Sequence, residues 1–333
     1  FYLATTRGHA LIIRIQVFKV GISIGITIVN DGRLSPPKVL SRADAACYAA
    51  KDAGRNRIVK WQESDGDEST SSNVQISQAS IIEDNLNNNQ YTLHFQPIQP
   101  MYKKSAVMWE VLVRMRTEGS DELLLPGSFL PTAGRCNLMQ KIDCWVFSRL
   151  CKLLKDNDAK KHGEDLPVLS VNISAESMAG QQQIDFYLDE IKATGVPNNR
   201  FCFEIAETTA ISALQQTKQF IETMRSAGCL CSLDDFGSGM GSFNHLRQLP
   251  INFIKIDGGI IKDIKKDLLN LTIVEFVHQV GQAIDVKTIA NYVETEGVQK
   301  KLLAIGIDYM QGYHFSQPLS TREWIDQVGF RSH

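Results

Sequence analysis

Short apolar runs that carry an acid, an amide or a lysine recur along this chain. They are WEVLVRMR with Glu110, LSVNIS with Asn172, FCFEIAE with Glu204, CSLDDFG with Asp234 and Asp235, and FIKID with Lys255. A further run, KTIANYVETEG, carries Glu294. Runs of β-branched and aromatic residues bounded by turn residues read as buried strands. A carboxylate on such a strand is costly, because desolvation is repaid only if the group is paired or binds a metal. One acid so placed could be an accident. A series of them in successive strands points to one divalent-metal site at the end of a parallel barrel.

The length of 333 residues allows one large or two ordinary domains. A net charge of -2 argues against a partner bound by neutralising phosphates, so no nucleic-acid polymer is expected. No apolar run reaches the ~18 residues of a membrane span, and no secretory signal is legible. The first residue is Phe1, not Met, so the sequence reads as a piece of something longer. An odd count of 7 cysteines fits a reducing compartment. Cys229 and Cys231 form a C-x-C, but no second pair or His cluster completes a tetrahedral set. They read as buried strand residues.

Residues 1–61 read as the strand VGISIGITIV, the helix SRADAACYAAKDAG stopped by Gly54, and the strand RNRIVKW. Residues 62–77 are polar and acidic, a linker. From 78 to 333, strands and helices alternate. The helix LMQKIDCWVFSRLCKLLKD places Leu138, Ile142, Trp145 and Leu153 on one face as core. Two further helices end at Gly195 and Gly228, VKTIANYVE reads as a strand, and DYMQGYHF reads as the last strand. This alternation predicts an α/β fold, a closed parallel barrel with its site at the C-terminal strand ends. His314 would then line a loop near that site.

On these motifs, residues 78–333 resemble the EAL-domain family of cyclic di-GMP phosphodiesterases. Glu110-Val111-Leu112 matches the signature tripeptide, with Val in place of Ala. The resemblance implies a TIM-like (β/α)8 barrel. It implies Glu110, Asn172, Glu204, Asp234 and Asp235 as ligands of one or two Mg²⁺ or Mn²⁺ ions. Lys255, Gln311 and Glu294 are then catalytic, and Gln96 and Arg114 contact cyclic di-GMP. Glu207 would hold the loop that follows DDFG. Residues 1–61 resemble the C-terminal part of a GGDEF domain, through SIGI and ADAACYAAKDAGRNR. That implies a small α+β remnant. The GGDEF signature itself is absent, so cyclase activity is not expected. The family resemblance also implies a bacterial cytoplasmic location, a homodimer through the EAL domain and a protein partner if the chain is a receptor.

One run departs from the family. Where the family has A-E-G-V-E-T, this chain has Ala290-Asn291-Tyr292-Val293-Glu294-Thr295. Asn291 replaces an acid that ligates the second metal, and Tyr292 replaces a Gly. Gly134 also stands where the family has Glu. The expectation is a cyclic di-GMP-binding signalling protein with weakened or lost catalysis. The alternative is an active metal-dependent phosphodiesterase. A metal-dependent aldolase on a similar barrel is the outside reading.

Overall fold

The computed structural model describes residues 10–13, 16–19, 22–29, 39, 42–43, 46, 57–61, 79–102, 106–116, 123–237, 246 and 248–330. The chain divides into two compact units, Phe1–Val74 and Gln75–His333. In the first, strands β1 (Ala10–Ile13) and β2 (Gln16–Lys19) pair antiparallel, while β3 (Ile24–Ile26) and β4 (Ile58–Lys60) pair parallel. The expected strand VGISIGITIV is thus reduced to β3. The expected helix up to Gly54 and the linker 62–77 fall largely outside the described residues.

The second unit carries β5 (Tyr91–Pro100), β6 (Met108–Arg116), β7 (Leu123–Leu124), β8 (Val168–Asn172), β9 (Phe201–Ala206), β10 (Leu230–Phe236), β11 (Phe253–Ile256), β12 (Lys287–Ala290), β13 (Tyr309–Met310) and β14 (Leu319–Ser320). Eight of these close into a ring in the order β5, β13, β12, β11, β10, β9, β8, β6, with β6 pairing back to β5. The barrel expected from the sequence is present, but it is not all parallel. β5 runs antiparallel to both of its ring neighbours, β6 and β13. The reason is loop length. Only residues 101–107 join β5 to β6, and a parallel crossover needs about a dozen residues or more.

The period of two along each strand sorts the barrel interior into layers. Ile98, Met108, Val168, Cys202, Phe253, Ile289 and Tyr309 form an apolar cluster, with Leu230 packed against it, so that every ring strand contributes one side chain. Two residues further along the same faces come Gln96, Glu110, Ser170, Glu204, Ser232, Lys255, Asn291 and Gln311. The next step brings Asn172 and Asp234. The barrel is therefore plugged with hydrocarbon and lined above the plug with polar groups. The opposite strand faces join the larger core under the helices, where Leu138 and Ile142 are buried and Trp145 and Leu153 pack at its margin.

Helix ends follow their residues. The helices Gln181–Thr194 and Glu296–Ile305 both stop at a left-handed glycine, Gly195 and Gly306. Two expected strands are shorter than read: VKTIANYVE ends at Ala290, and DYMQGYHF at Met310. Among the described residues, no helix is long and apolar enough to cross a membrane.

Candidate active site

Lys255 stands at the centre of the polar layer with its side chain 1% exposed. Its Nζ donates to Glu110 Oε2 at 2.7 Å and to Glu204 Oε2 at 2.9 Å, and lies 3.9 Å from Asp234 Oδ1. These groups come from β11, β6, β9 and β10, adjacent in the ring except for the step from β6 to β9. Asn172, at the end of β8, donates to Glu110 Oε1 at 2.8 Å. Gln311, just past β13, donates to Glu110 Oε2 at 2.7 Å and to Gln96 Oε1 at 3.1 Å. The antiparallel register sets Gln96 directly opposite Glu110. Six of the residues singled out from sequence thus meet in one bonded cluster, with Asp234 beside it.

The electrostatics of this cluster are those of a cation site. Burial alone would lower the Lys255 ammonium, but Asp234, Glu110 and Glu204 outweigh it and hold the group well above its ordinary range. Burial opposes ionisation of Glu110 as well, yet Lys255, Gln311 and Asn172 keep its carboxyl below the usual value. Burial pushes Glu204 up to about 8, against the pull of Lys255. It pushes Asp234 up to about 6. The buried carboxyls of Glu110 and Glu204 and the partly buried one of Asp234 surround one ammonium, which leaves negative charge uncompensated. Such a site takes up protons or a further cation.

The donor set fits a hard divalent ion: carboxylate and amide oxygens with excess negative charge. Among the described residues, no three His, Cys, Asp or Glu side chains are already gathered as a cage. The ammonium of Lys255 stands between the carboxylates instead. The C-x-C pair adds nothing to a metal site, since Cys229 and Cys231 are buried free thiols.

Backbone turns at the mouth complete the picture. Asp234 Oδ1 accepts the N–H of Asp235 at 2.8 Å, and exposed Asp235 has φ 52°. Asn291 does the same one strand-pair away: its Oδ1 accepts the N–H of Tyr292 at 2.8 Å, with Tyr292 at φ 56°. Both residues lie in the left-handed region that few side chains enter. Glu207, first residue of the helix Glu207–Ser212, accepts the N–H of Gly237 at 2.9 Å through Oε2. Gly312 is required where it stands. It has φ 155°, and a Cβ there would lie 2.2 Å from Val293 O.

Some expected residues lie apart. Arg114 is buried on β6, two steps above Leu112, and donates to Val113 O at 2.8 Å. Glu294 is exposed on the loop after β12 and is not part of the bonded cluster. His314 is exposed and bonds Gln299 Oε1 through Nε2 at 3.0 Å, a surface contact. Gly134 sits inside the helix Pro126–Arg135, with only Met139 Cγ near a Cβ, at 4.0 Å. Sequence reading missed Ser170. Fully buried, it donates through Oγ to Glu204 Oε1 at 2.7 Å and so holds the carboxylate oxygen that Lys255 leaves free. Its position two residues before Asn172, on the same face, was the available signal.

Comparison with known proteins follows the same lines. The "Cyclic di-GMP phosphodiesterase PdeB" of Shewanella oneidensis is 30% identical over 320 residues, covering 94% of this chain and 36% of the relative. The "Signaling protein YkoW" of Bacillus subtilis is 28% identical over 303 residues, covering 91% of this chain and 37% of the relative. The chain therefore spans little more than a third of the length of these relatives. Among solved structures, the FimX EAL domain from Pseudomonas aeruginosa bound to c-di-GMP superposes with a TM-score of 0.66 at 28% identity, covering 73% of this chain and 96% of that one. A PaMucR phosphodiesterase in complex with c-di-GMP gives 0.68 at 26% identity, over 74% of this chain and 99% of that one. The model of the EAL domain matches residues 79–318, and with that match over most of the barrel unit the chain belongs to the EAL domain family.

Proposed function

We propose that this chain is a cyclic di-GMP-binding signalling module whose turnover to linear pGpG is weakened or lost. Relatives named as cyclic di-GMP phosphodiesterases, and solved relatives with c-di-GMP bound, support the ligand. Family membership leaves no ground for the aldolase reading.

Glu110, Asn172, Glu204 and Asp234 would hold one Mg²⁺ or Mn²⁺, and Asp234 and Asp235 a second, with Asn291 standing where the family has a further acid. When bound, such ions supply Lewis acidity toward the phosphoryl oxygens and an activated water. The protein's own groups do the rest. Lys255, fixed by Glu110 and Glu204, offers a preorganised positive charge to the phosphodiester. Gln311 and Asn172 fix both oxygens of Glu110. Gln96 and Arg114 would contact the dinucleotide, Arg114 through a planar fork suited to phosphate or guanine edges. Glu207 anchors the start of the loop after Phe236.

The observation that carries the reading is Asn291. It brings no charge and cannot take a proton, where the family resemblance gives an acid. Removing one preorganised catalytic group costs roughly 10²–10³ in rate, while binding groups elsewhere are intact. The second reading, an active phosphodiesterase, is favoured by the complete Lys255–Glu110–Glu204 cluster.

Residues 1–61 are read as a GGDEF-like remnant, joined by a linker over 62–77 to the EAL domain at 78–333. The parallel pairing of β3 with β4 across an intervening segment is consistent with that reading. A bacterial cytoplasmic location, a homodimer through the EAL domain and a protein partner belong to the same proposal. The test is calorimetric binding of cyclic di-GMP in Ca²⁺ beside a time course of pGpG release in Mn²⁺. Binding with little release supports the proposal. Rapid release supports the second reading, and no binding overturns both.

A further inference from the structure

We infer that Tyr292 is a stacking platform for a purine base of the bound nucleotide. The inference rests on the ligand proposed above and adds a specificity-determining residue to it.

Tyr292 is an unusual residue on three counts. It is bulky yet has φ 56°, a conformation that side chains of its size rarely adopt. The residue is 58% exposed, so burial does not account for its placing. And it is fixed. Asn291 Oδ1 takes its N–H at 2.8 Å, and the next residue, buried Val293, donates its N–H to Gln311 O at 2.9 Å. The chain on either side of the ring is therefore tied to the ends of β12 and β13.

The ring has a seat. A Cβ added to Gly258 would lie 2.2 Å from Tyr292 Cδ2, 2.6 Å from Cγ and 2.9 Å from Cβ. One side of the tyrosine thus rests on backbone that bears no side chain, and the other side is open. Gly258 follows Asp257 at the end of β11, three residues after Lys255. Asn291, one residue before Tyr292, continues the inner face of β12 above Ile289. The ring therefore sits at the mouth of the barrel, beside the polar layer. Among the described residues, the phenol oxygen has no hydrogen-bond partner, so the side chain is not placed by its hydroxyl.

An aromatic ring locked on one side and open on the other, at the rim of the polar layer around Lys255, suits the π-face of a base. Every nucleobase has such a face, and loss of an aromatic partner weakens binding roughly 5- to 150-fold per base. The inference also separates two effects of one residue: the ring would add affinity at the position where Asn291 removes charge.

The experiment is calorimetric titration of the full chain with cyclic di-GMP in Ca²⁺. The parent is compared with Tyr292→Phe, Tyr292→Ala, Gly258→Ala and the double variant Tyr292→Ala with Gly258→Ala. Tyr292→Phe should bind within about twofold of the parent, because the ring is kept. Tyr292→Ala should bind roughly 5- to 150-fold more weakly. Gly258→Ala should weaken binding when the tyrosine is present, by displacing the ring. It should have no further effect in the Tyr292→Ala background. A cyclic dinucleotide carrying 2-aminopurine gives a second readout, with fluorescence quenched on binding to the parent and to Tyr292→Phe but not to Tyr292→Ala. Parent and Tyr292→Ala binding equally tightly would overturn the platform while leaving the receptor reading standing. A parent that does not bind cyclic di-GMP would overturn both.

Discussion

Lys255 is the side chain around which the site is built, and its removal should show this directly. Without its ammonium, Glu110 and Glu204 are left buried with like charges and no cationic partner. Lys255→Met is expected to destabilise the metal-free protein by about 3–5 kcal/mol, measured by urea unfolding in chelator. Addition of Ca²⁺ should recover part of that loss. Ser170 gives a subtler test. It holds Glu204 Oε1 at 2.7 Å, and partners of this kind are worth roughly 10–100-fold in metal affinity. Ser170→Ala should weaken Ca²⁺ binding by that factor in calorimetry, and Ser170→Thr should preserve it. Acids on apolar strands were legible in the sequence because their desolvation demands a partner. Ser170 was not, because a serine in a strand makes no such demand. Glu294 lies three residues past Asn291, beyond the end of β12, where period two no longer fixes which way a side chain points.

At the level of elements, the barrel was legible from the alternation of apolar strands with glycine-stopped helices. The direction of β5 was not, since an inner-face pattern reads the same both ways along a strand. Only the short connection 101–107 carried that information. A second element-level feature is the joint between the helix Leu268–Ala283 and β12. Buried His278 meets Thr288 Oγ1 through Nδ1 at 2.8 Å and Gln282 through Nε2 at 3.0 Å. Asp308 accepts from Thr288 Oγ1 at 3.0 Å and pairs with Lys287 at 3.2 Å. Burial, with Lys287 assisting and Asp308 opposing, lowers the His278 pKa below its ordinary value. The folded protein therefore favours neutral imidazole. Stability from this joint is full above the unfolded value of about 6.5 and falls as pH drops through it. His278→Gln should flatten the decline between about pH 7 and 5 in urea midpoints measured across that range.

For the whole molecule, Gln75–His333 contains the closed ring, its plug and the surrounding core, so this segment expressed alone is expected to melt in one cooperative transition by calorimetry. The site at its mouth is legible in the sequence to the extent that chemistry demanded it, and so is the departure at Asn291–Tyr292, while the positive φ of Tyr292 and the Asn291 carbonyl turned on its own chain are seen only in the structure. That turn is where binding and turnover part company in the proposed function. The most direct measurement is the rate of pGpG release from cyclic di-GMP in Mn²⁺, for the parent chain beside Asn291→Glu. The account predicts a parent slower than the variant by roughly 10²–10³, with cyclic di-GMP affinity in Ca²⁺ nearly equal for the two. A parent that releases pGpG as fast as Asn291→Glu would contradict it.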